Sequence, residues 1–323
     1  MGGETHGVWW GKRNYHPGKK AGDNTDYGDA ILFLLEYMSA AHKTGKTKPF
    51  SIQHYVDTHW KAQYKDWQKG TCRACKAWMD TMTRTVLSNL ARGLPLGQAG
   101  GMSNGLVVRF VPALAVYSSE DEVITVARTT TEFTNRNPHS VGASDFWART
   151  VWRVMEGQSP TEAMQNAAAA LGDRFISEKV RQALDKVKEA SDPDSQIAKE
   201  EFADDLALTS MARLWEVGKS EPIKVGKASP VEGALPGAVY LIAKYNDFKL
   251  AAQANAMVGG DNAARSIPIG MVLGAAQGIQ GIPAEWLETL TEGKHVLALL
   301  KTLPFGKGLP IAQPGPPTPH AEL

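Results

Sequence analysis

From Asp26 to Leu303 the chain repeats one pattern: apolar residues recur three and four apart, segment after segment. Asp26–Ala41 places Ile31, Leu34, Leu35 and Met38 on one stripe, the spacing of a helix with a single buried face. Ser51–Trp67 does the same with Tyr55, Trp60, Tyr64 and Trp67, Cys75–Leu90 with Met79, Met82, Val86 and Leu90, and Ser140–Glu156 with Phe146, Trp147, Val151 and Val154. The same periodicity predicts helices over Thr161–Leu171, Glu178–Ala190, Glu200–Trp215, Val231–Tyr245, Phe248–Val258, Ala264–Gly278 and Pro283–Leu303. Leu106–Tyr117 begins β-rich, but Pro112 and its alanines favour a buried helix. Connections are short and rich in Gly, Asn, Asp and Pro, and the charged stretch Ala190–Ala203 reads as a surface loop. The pattern predicts an all-α chain, an orthogonal multi-helix bundle in one domain over residues 1–303. Residues 304–323 crowd Pro314, Pro316, Pro317 and Pro319 together and read as a disordered or polyproline-like tail.

Charge narrows the partners. With 35 basic against 34 acidic residues the net charge is +1, so no bulk field draws the chain to nucleic acid or to a membrane. No apolar run reaches the roughly 18 residues of a membrane span. The first residues lack the apolar core of a signal peptide, and a cytoplasmic protein is expected. Cys72 and Cys75 are the two cysteines. A redox pair would want a preceding strand and a zinc site a second Cys or His pair, so two free thiols one turn apart are expected, as suits a reducing compartment.

Two turns invite chemistry. Gly259-Gly260-Asp261-Asn262 precedes a small-residue helix with Gly270, Gly274 and Gly278 four apart. The glycine pair lets the backbone turn tightly and approach a ligand, and the small residues suggest close packing against a neighbour. At the other end Thr25-Asp26-Tyr27-Gly28-Asp29 opens the first helix. Asp26 and Asp261 each serve equally well as a helix cap that complements the dipole or as an oxygen ligand for a hard cation. His16 and His139 are single histidines in polar loops, to which no role is given.

Four segments, in chain order, resemble the ADP-ribosylglycohydrolase family, which also contains the jellyfish J crystallins. Thr25 and Asp26 fall on the first two positions of its Thr-Asp-Asp-Thr turn, with Tyr27 at the second Asp, Gly28 at the last Thr, and Asp29 one place on. Trp78–Gly93 resembles a family helix in which an Asp and a Thr face the pocket; by spacing alone Asp80 could be solvated or pocket-facing. Ser103-Asn104-Gly105, with Arg109 and Pro112, resembles its Asn-Gly-x-x-x-Arg-x-x-Pro. Gly259–Trp286 resembles its Gly-Gly-Asp-Thr-Asp-Thr signature, with Ala263 at the second Asp and Ala264 at the following Thr. Asn137-Pro138-His139 is similar to a His-Pro helix start, with Asn137 at the His position. The family's first helix is missing from this sequence, through truncation or replacement.

The resemblance implies cleavage of a glycosidic bond to ADP-ribose, with carboxylates and threonine hydroxyls holding a magnesium pair. Carried over residue by residue, it implies catalysis by Asp26 and Asp29 and metal ligation by Thr25, Asp26 and Asp261. It implies substrate contacts from Asp80, Asn104, Gly105, Gly259, Gly260 and Asn262. Such a ligand set suits at most one weak magnesium, and Arg265 would oppose a cation unless it faces away. The variant turns look closest to the J-crystallin branch. Two readings follow: a hydrolase acting on ADP-ribose or an ADP-ribosylated substrate, and a non-catalytic structural or ligand-binding relative.

Overall fold

A computed structural model describes residue 16 and residues 18–97, 106–211, 213–214, 223–224 and 229–305. Among these the chain is helical apart from one two-residue antiparallel ladder, β1 (Arg213–Leu214) on β2 (Ile223–Lys224). The helices are α1 (Asp26–Lys43), α2 (Ile52–Tyr55), α3 (Lys61–Gln63), α4 (Thr81–Ala91), α5 (Glu120–Glu132), α6 (Pro138–Met155) and α7 (Pro160–Leu171). They continue as α8 (Arg174–Ser191), α9 (Ala203–Met211), α10 (Val231–Tyr245), α11 (Phe248–Val258), α12 (Asn262–Gln277), α13 (Ala284–Thr289) and α14 (Gly293–Leu300).

The centre is α10. It is apolar almost all round, with Val231, Leu235, Val239, Tyr240, Leu241 and Ile242 buried, and it packs against α8, α9, α11 and α12. A helix without a polar face belongs in the middle of a bundle. The main core is continuous from Leu34 of α1 through Trp60, Trp147 and Leu273 to Leu303. Helix ends follow their caps: Ser159 and Glu162 form a reciprocal capping box on α7, and Asp173 and Asp247 accept the first free amides of α8 and α11.

Several expectations change. The helix read over Ser51–Trp67 is α2 and α3 joined by a π turn, Val56–Trp60, and followed by a 3-10 turn, Trp67–Lys69. The helix read from Cys75 starts only at Thr81, because Asp80 caps it there. Leu106–Tyr117 forms two 3-10 turns rather than a helix, with Pro112 in the second. Pro283–Leu303 breaks into α13 and α14. The sequence reading passed over α5, whose Ser119 accepts the amide of Glu122 and whose Val123, Ile124, Val126 and Ala127 are buried. The small-residue stripe also behaves differently. At about 100° per residue, Gly270 and Gly274 fall opposite the buried Arg265, Ile269 and Val272; a Cβ at Gly274 would meet nothing within 4 Å. The Pro-rich segment and the segment before His16 lie outside the described residues.

Candidate functional site

The site is built where the start of α1 meets the start of α12. The first turn is seated by the far end of the chain. Gly22 has φ +91°, and a Cβ there would lie 1.9 Å from the Thr289 carbonyl oxygen. The Thr291 amide donates to Gly22 O at 3.0 Å, and its hydroxyl donates to Asp23 Oδ1 at 2.6 Å. Thr25 takes the extended cap position of α1 without using its hydroxyl as a cap. Asp26, Tyr27 and Asp29 then leave the first helical turn.

The second turn owes its shape to Gly259 and Gly260, at φ +71° and +68°, a region that side chains disfavour. Asp261 caps α12, its Oδ1 accepting the Ala264 amide at 3.0 Å. Arg265 lies beneath the turn, 1 % exposed; its Nε donates to Asn255 Oδ1 at 2.8 Å and a terminal nitrogen donates to the Gly259 carbonyl. Asn255 in turn donates to the Asn262 carbonyl at 2.8 Å. Burial lowers the Arg265 pKa to about 10, against the pull of Asp261 and Asp205. The cation therefore braces the turn from inside.

One bond joins the two turns: the Tyr27 hydroxyl donates to Asp261 Oδ2 at 2.7 Å. Tyr27 is buried, and burial together with Asp261 and Asp26 holds its hydroxyl protonated far above the usual range. Tyr27 thus occupies one oxygen of the Asp261 carboxylate.

A third wall comes from Asp80. Its Oδ1 accepts the Met82 and Thr83 amides, and its Oδ2 accepts the Thr83 hydroxyl at 2.6 Å. Asp26, Asp29 and Asp80 line one crevice with Ala30, Tyr64, Ala74, Trp78, Met79 and Thr83. Its open space, about 10 Å³, is room for about one water. Burial raises the Asp26 pKa to about 8, and the charges of Asp80, Asp261 and Asp29 add to that rise. Burial also raises Asp29, against Lys19, Asn24 and Arg73. Two carboxyl groups with raised proton affinity and a third carboxylate in one crevice can give and take protons.

The expected residues sort accordingly. Asp26, Asp29 and Asp80 meet in the crevice, Thr25 precedes them, and Asp261 joins through Tyr27. Gly259, Gly260 and Asn262 form the adjoining turn; Asn104 and Gly105 lie outside the described residues. Arg109 is a buried anchor, donating to the Thr130 carbonyl and to the Thr134 hydroxyl and lying 4.7 Å from the Phe133 ring centroid. His139, given no role from sequence, stacks on Phe175 with centroids 3.8 Å apart and pairs with Glu232 at 3.3 Å. Asn137 caps α6 through the His139 and Ser140 amides. Tyr64, Trp78 and Met79 were not foreseen as lining; for Thr83 the resemblance offered a pocket-facing threonine in its segment without saying which one. The cysteines correct the reading outright: Cys72 and Cys75 are bridged by a disulfide, and their flanks are 3-10 turns rather than helix.

The sequence profile of the ADP-ribosylglycohydrolases, described as "ADP_ribosyl_GH", matches residues 2–307. The chain belongs to the ADP-ribosylglycohydrolase family. A solved structure titled "ADP-ribosylglycohydrolase-related protein complex" is 20% identical and superposes with a TM-score of 0.57, covering 87% of this chain and 81% of that one. The likeness supports an ADP-ribosylglycohydrolase-type fold. No curated protein matches the sequence.

The family implies magnesium, and the donor set can be tested against it. Among the described residues no three His, Cys, Asp or Glu side chains converge as a metal site. Both oxygens of Asp261 accept hydrogen bonds, one from Tyr27 and one from a backbone amide. Alanine stands at positions 263 and 264. Among the described residues no helix is long and apolar enough to cross a membrane.

Proposed function

We propose that this chain is an ADP-ribosylglycohydrolase-like hydrolase of ADP-ribosyl glycosidic bonds, with a magnesium site reduced to one weak cation or none. The observation that carries the reading is Asp26, a carboxyl group held to about pH 8 by burial and by Asp80, Asp261 and Asp29. A carboxyl group that keeps its proton at neutral pH is matched to general-acid work. Asp26 gives its proton to the departing glycosidic atom. Asp29 takes the proton of the water that attacks the anomeric carbon, as paired carboxyl groups do in glycoside hydrolysis. Asp80, fixed by three hydrogen bonds at the head of α4, supplies negative field. Asn104, Gly105, Gly259, Gly260 and Asn262 are the proposed contacts to the ADP-ribosyl group. A cytoplasmic location belongs to the same proposal, and the expectation of no nucleic-acid or membrane partner rests on the near-zero net charge.

A second reading is a non-catalytic relative in the manner of the J crystallins. It is favoured by the Tyr27–Asp261 bond in place of a ligand set, and by a crevice with room for about one water. Calorimetric titration with magnesium and with ADP-ribose, alongside turnover of an ADP-ribosylated substrate with and without chelator, separates the two. The hydrolase reading expects release of ADP-ribose that disappears in Asp26→Asn; loss of release on chelation marks one working cation, and survival marks none. Binding without turnover leaves a ligand-binding relative; neither binding nor turnover leaves a structural one.

A further inference from the structure

The Cys72–Cys75 disulfide spans only three positions, so it crosslinks no two elements and does nothing to tie the bundle together. What it fixes is the turn Arg73–Lys76 and the chain leaving it. That chain is the crevice wall: Ala74, Trp78, Met79 and Asp80 face Asp26 and Asp29. Cys72 is 5% exposed and packs with Phe33 and Ala74, whereas Cys75 is partly exposed, its sulfur 3.9 Å from the Trp67 carbonyl oxygen.

We propose that Cys72 and Cys75 form a redox-operated latch on the wall of the acidic crevice, opened by a dithiol reductant. The accessible sulfur directs the chemistry. A reductant thiolate attacks Cys75 Sγ, the S–S bond breaks, and Cys72 leaves as a thiolate that takes a proton from solvent. The reductant's second thiol then attacks the mixed disulfide and releases Cys75, which is protonated in turn. Two electrons and two protons enter the chain, and the reductant leaves as its own disulfide. With the bridge closed, the wall leaves about 10 Å³ of open space beside Asp26. With it open, the turn at Ala74 is no longer held and the wall from Ala74 to Trp78 can draw back from Asp26 and Asp29. Arg73, bonded twice to Glu36 of α1, keeps the segment attached while it moves. As a control on access to the crevice, the latch rests on the proposed hydrolase reading, but its test does not.

The test uses the full chain under native conditions, treated with dithiothreitol, alkylated and weighed, with hydrogen exchange followed by peptide. Two alkyl groups are expected, with exchange over residues 72–80 faster by about tenfold or more and exchange in α10 unchanged. Cys75→Ser should show the same fast exchange without reductant. A bridge that resists dithiothreitol in the folded protein would overturn the latch. So would reduction that leaves residues 72–80 protected, or reduction that speeds exchange in α10 as well, the mark of a global staple. Local opening in a protein that hydrolyses nothing sinks the hydrolase reading and leaves the latch standing.

Discussion

Tyr27→Phe removes one oxygen and with it the bond that joins the head of α1 to the head of α12, together with the hydroxyl's bond to Ser229. The ring stays buried in either case, so packing changes little. A hydrogen bond to a charged acceptor contributes about 1.5–3 kcal/mol net. Asp261 keeps its Ala264 amide and is partly exposed, so water replaces part of the lost bond and the lower half of that range applies. Unfolding entropy near 2.1 cal/mol/K per residue gives about 0.7 kcal/mol/K for a chain of this length, so the expected fall in Tm is about 2 to 3 °C. Differential scanning fluorimetry in chelator measures it. Tyr27→Asp adds the discriminating arm. It places a carboxylate beside Asp26 and Asp261, so it should lose more stability than Tyr27→Phe in chelator and regain it when magnesium is added, because a cation that binds the folded state must stabilise it. An unchanged or higher Tm for Tyr27→Phe would refute the view of this tyrosine as the clasp between the two turns.

Three further outcomes can be checked. Unfolded, Asp26 ionises near 3.8, while folded it holds its proton to about 8, so between those values the folded state binds the extra proton and loses stability as pH rises. The full slope would be about 1.4 kcal/mol per pH unit, and relaxation of the crevice should leave roughly half; urea midpoints at pH 5 and pH 7.5 should fall in the native chain and stay flatter in Asp26→Asn. Burial alone would raise Glu36, but hydrogen bonds from His59, Arg73 and His295 outweigh it and hold the carboxyl well below its usual 4.5. Its stabilising effect is therefore present above that value and lost as pH falls below it, and Glu36→Gln should cost about 2 kcal/mol at pH 7 with the deficit closing in acid. Gly22→Ala must displace Thr289 and should lower Tm by several degrees while leaving the far-ultraviolet helical signal unchanged.

The helices that sequence located best are those bounded by strong punctuation. α10 and α11 meet at Asn246, left-handed at φ +46°, and Asp247, which caps the next helix, so both limits are written locally. α5 hid because Thr129, Thr130 and Thr131 dilute its apolar stripe, although Ser119 and Glu122 carry a legible start signal. The early start read for α4 had a sound periodicity; the three-residue bridge and the cap at Asp80 overrode it. In the site, resemblance singled out Asp26 and Asp29, while local spacing left Asp80 open between solvent and a pocket; the three line one crevice. It could not show that Tyr27 does more than mark a missing ligand. A hydroxyl reaching an aspartate 234 residues away leaves no trace in local spacing. Nor could it show whether Arg265 faces the turn from above or below, since that depends on the Asn255 side chain of the preceding helix.

The same separation puts the site on a clock. A ribosome adding about 5–20 residues per second needs roughly ten to fifty seconds to travel from Tyr27 to Asp261. Gly22 and Asp23 wait longer still, for Thr291. Until then the Tyr27 hydroxyl lacks Asp261 and has only Ser229 to bond to. The acidic crevice is thus among the last parts of the molecule to exist during synthesis, and a chain released short of Asp261 carries its carboxylates without the clasp that closes over them.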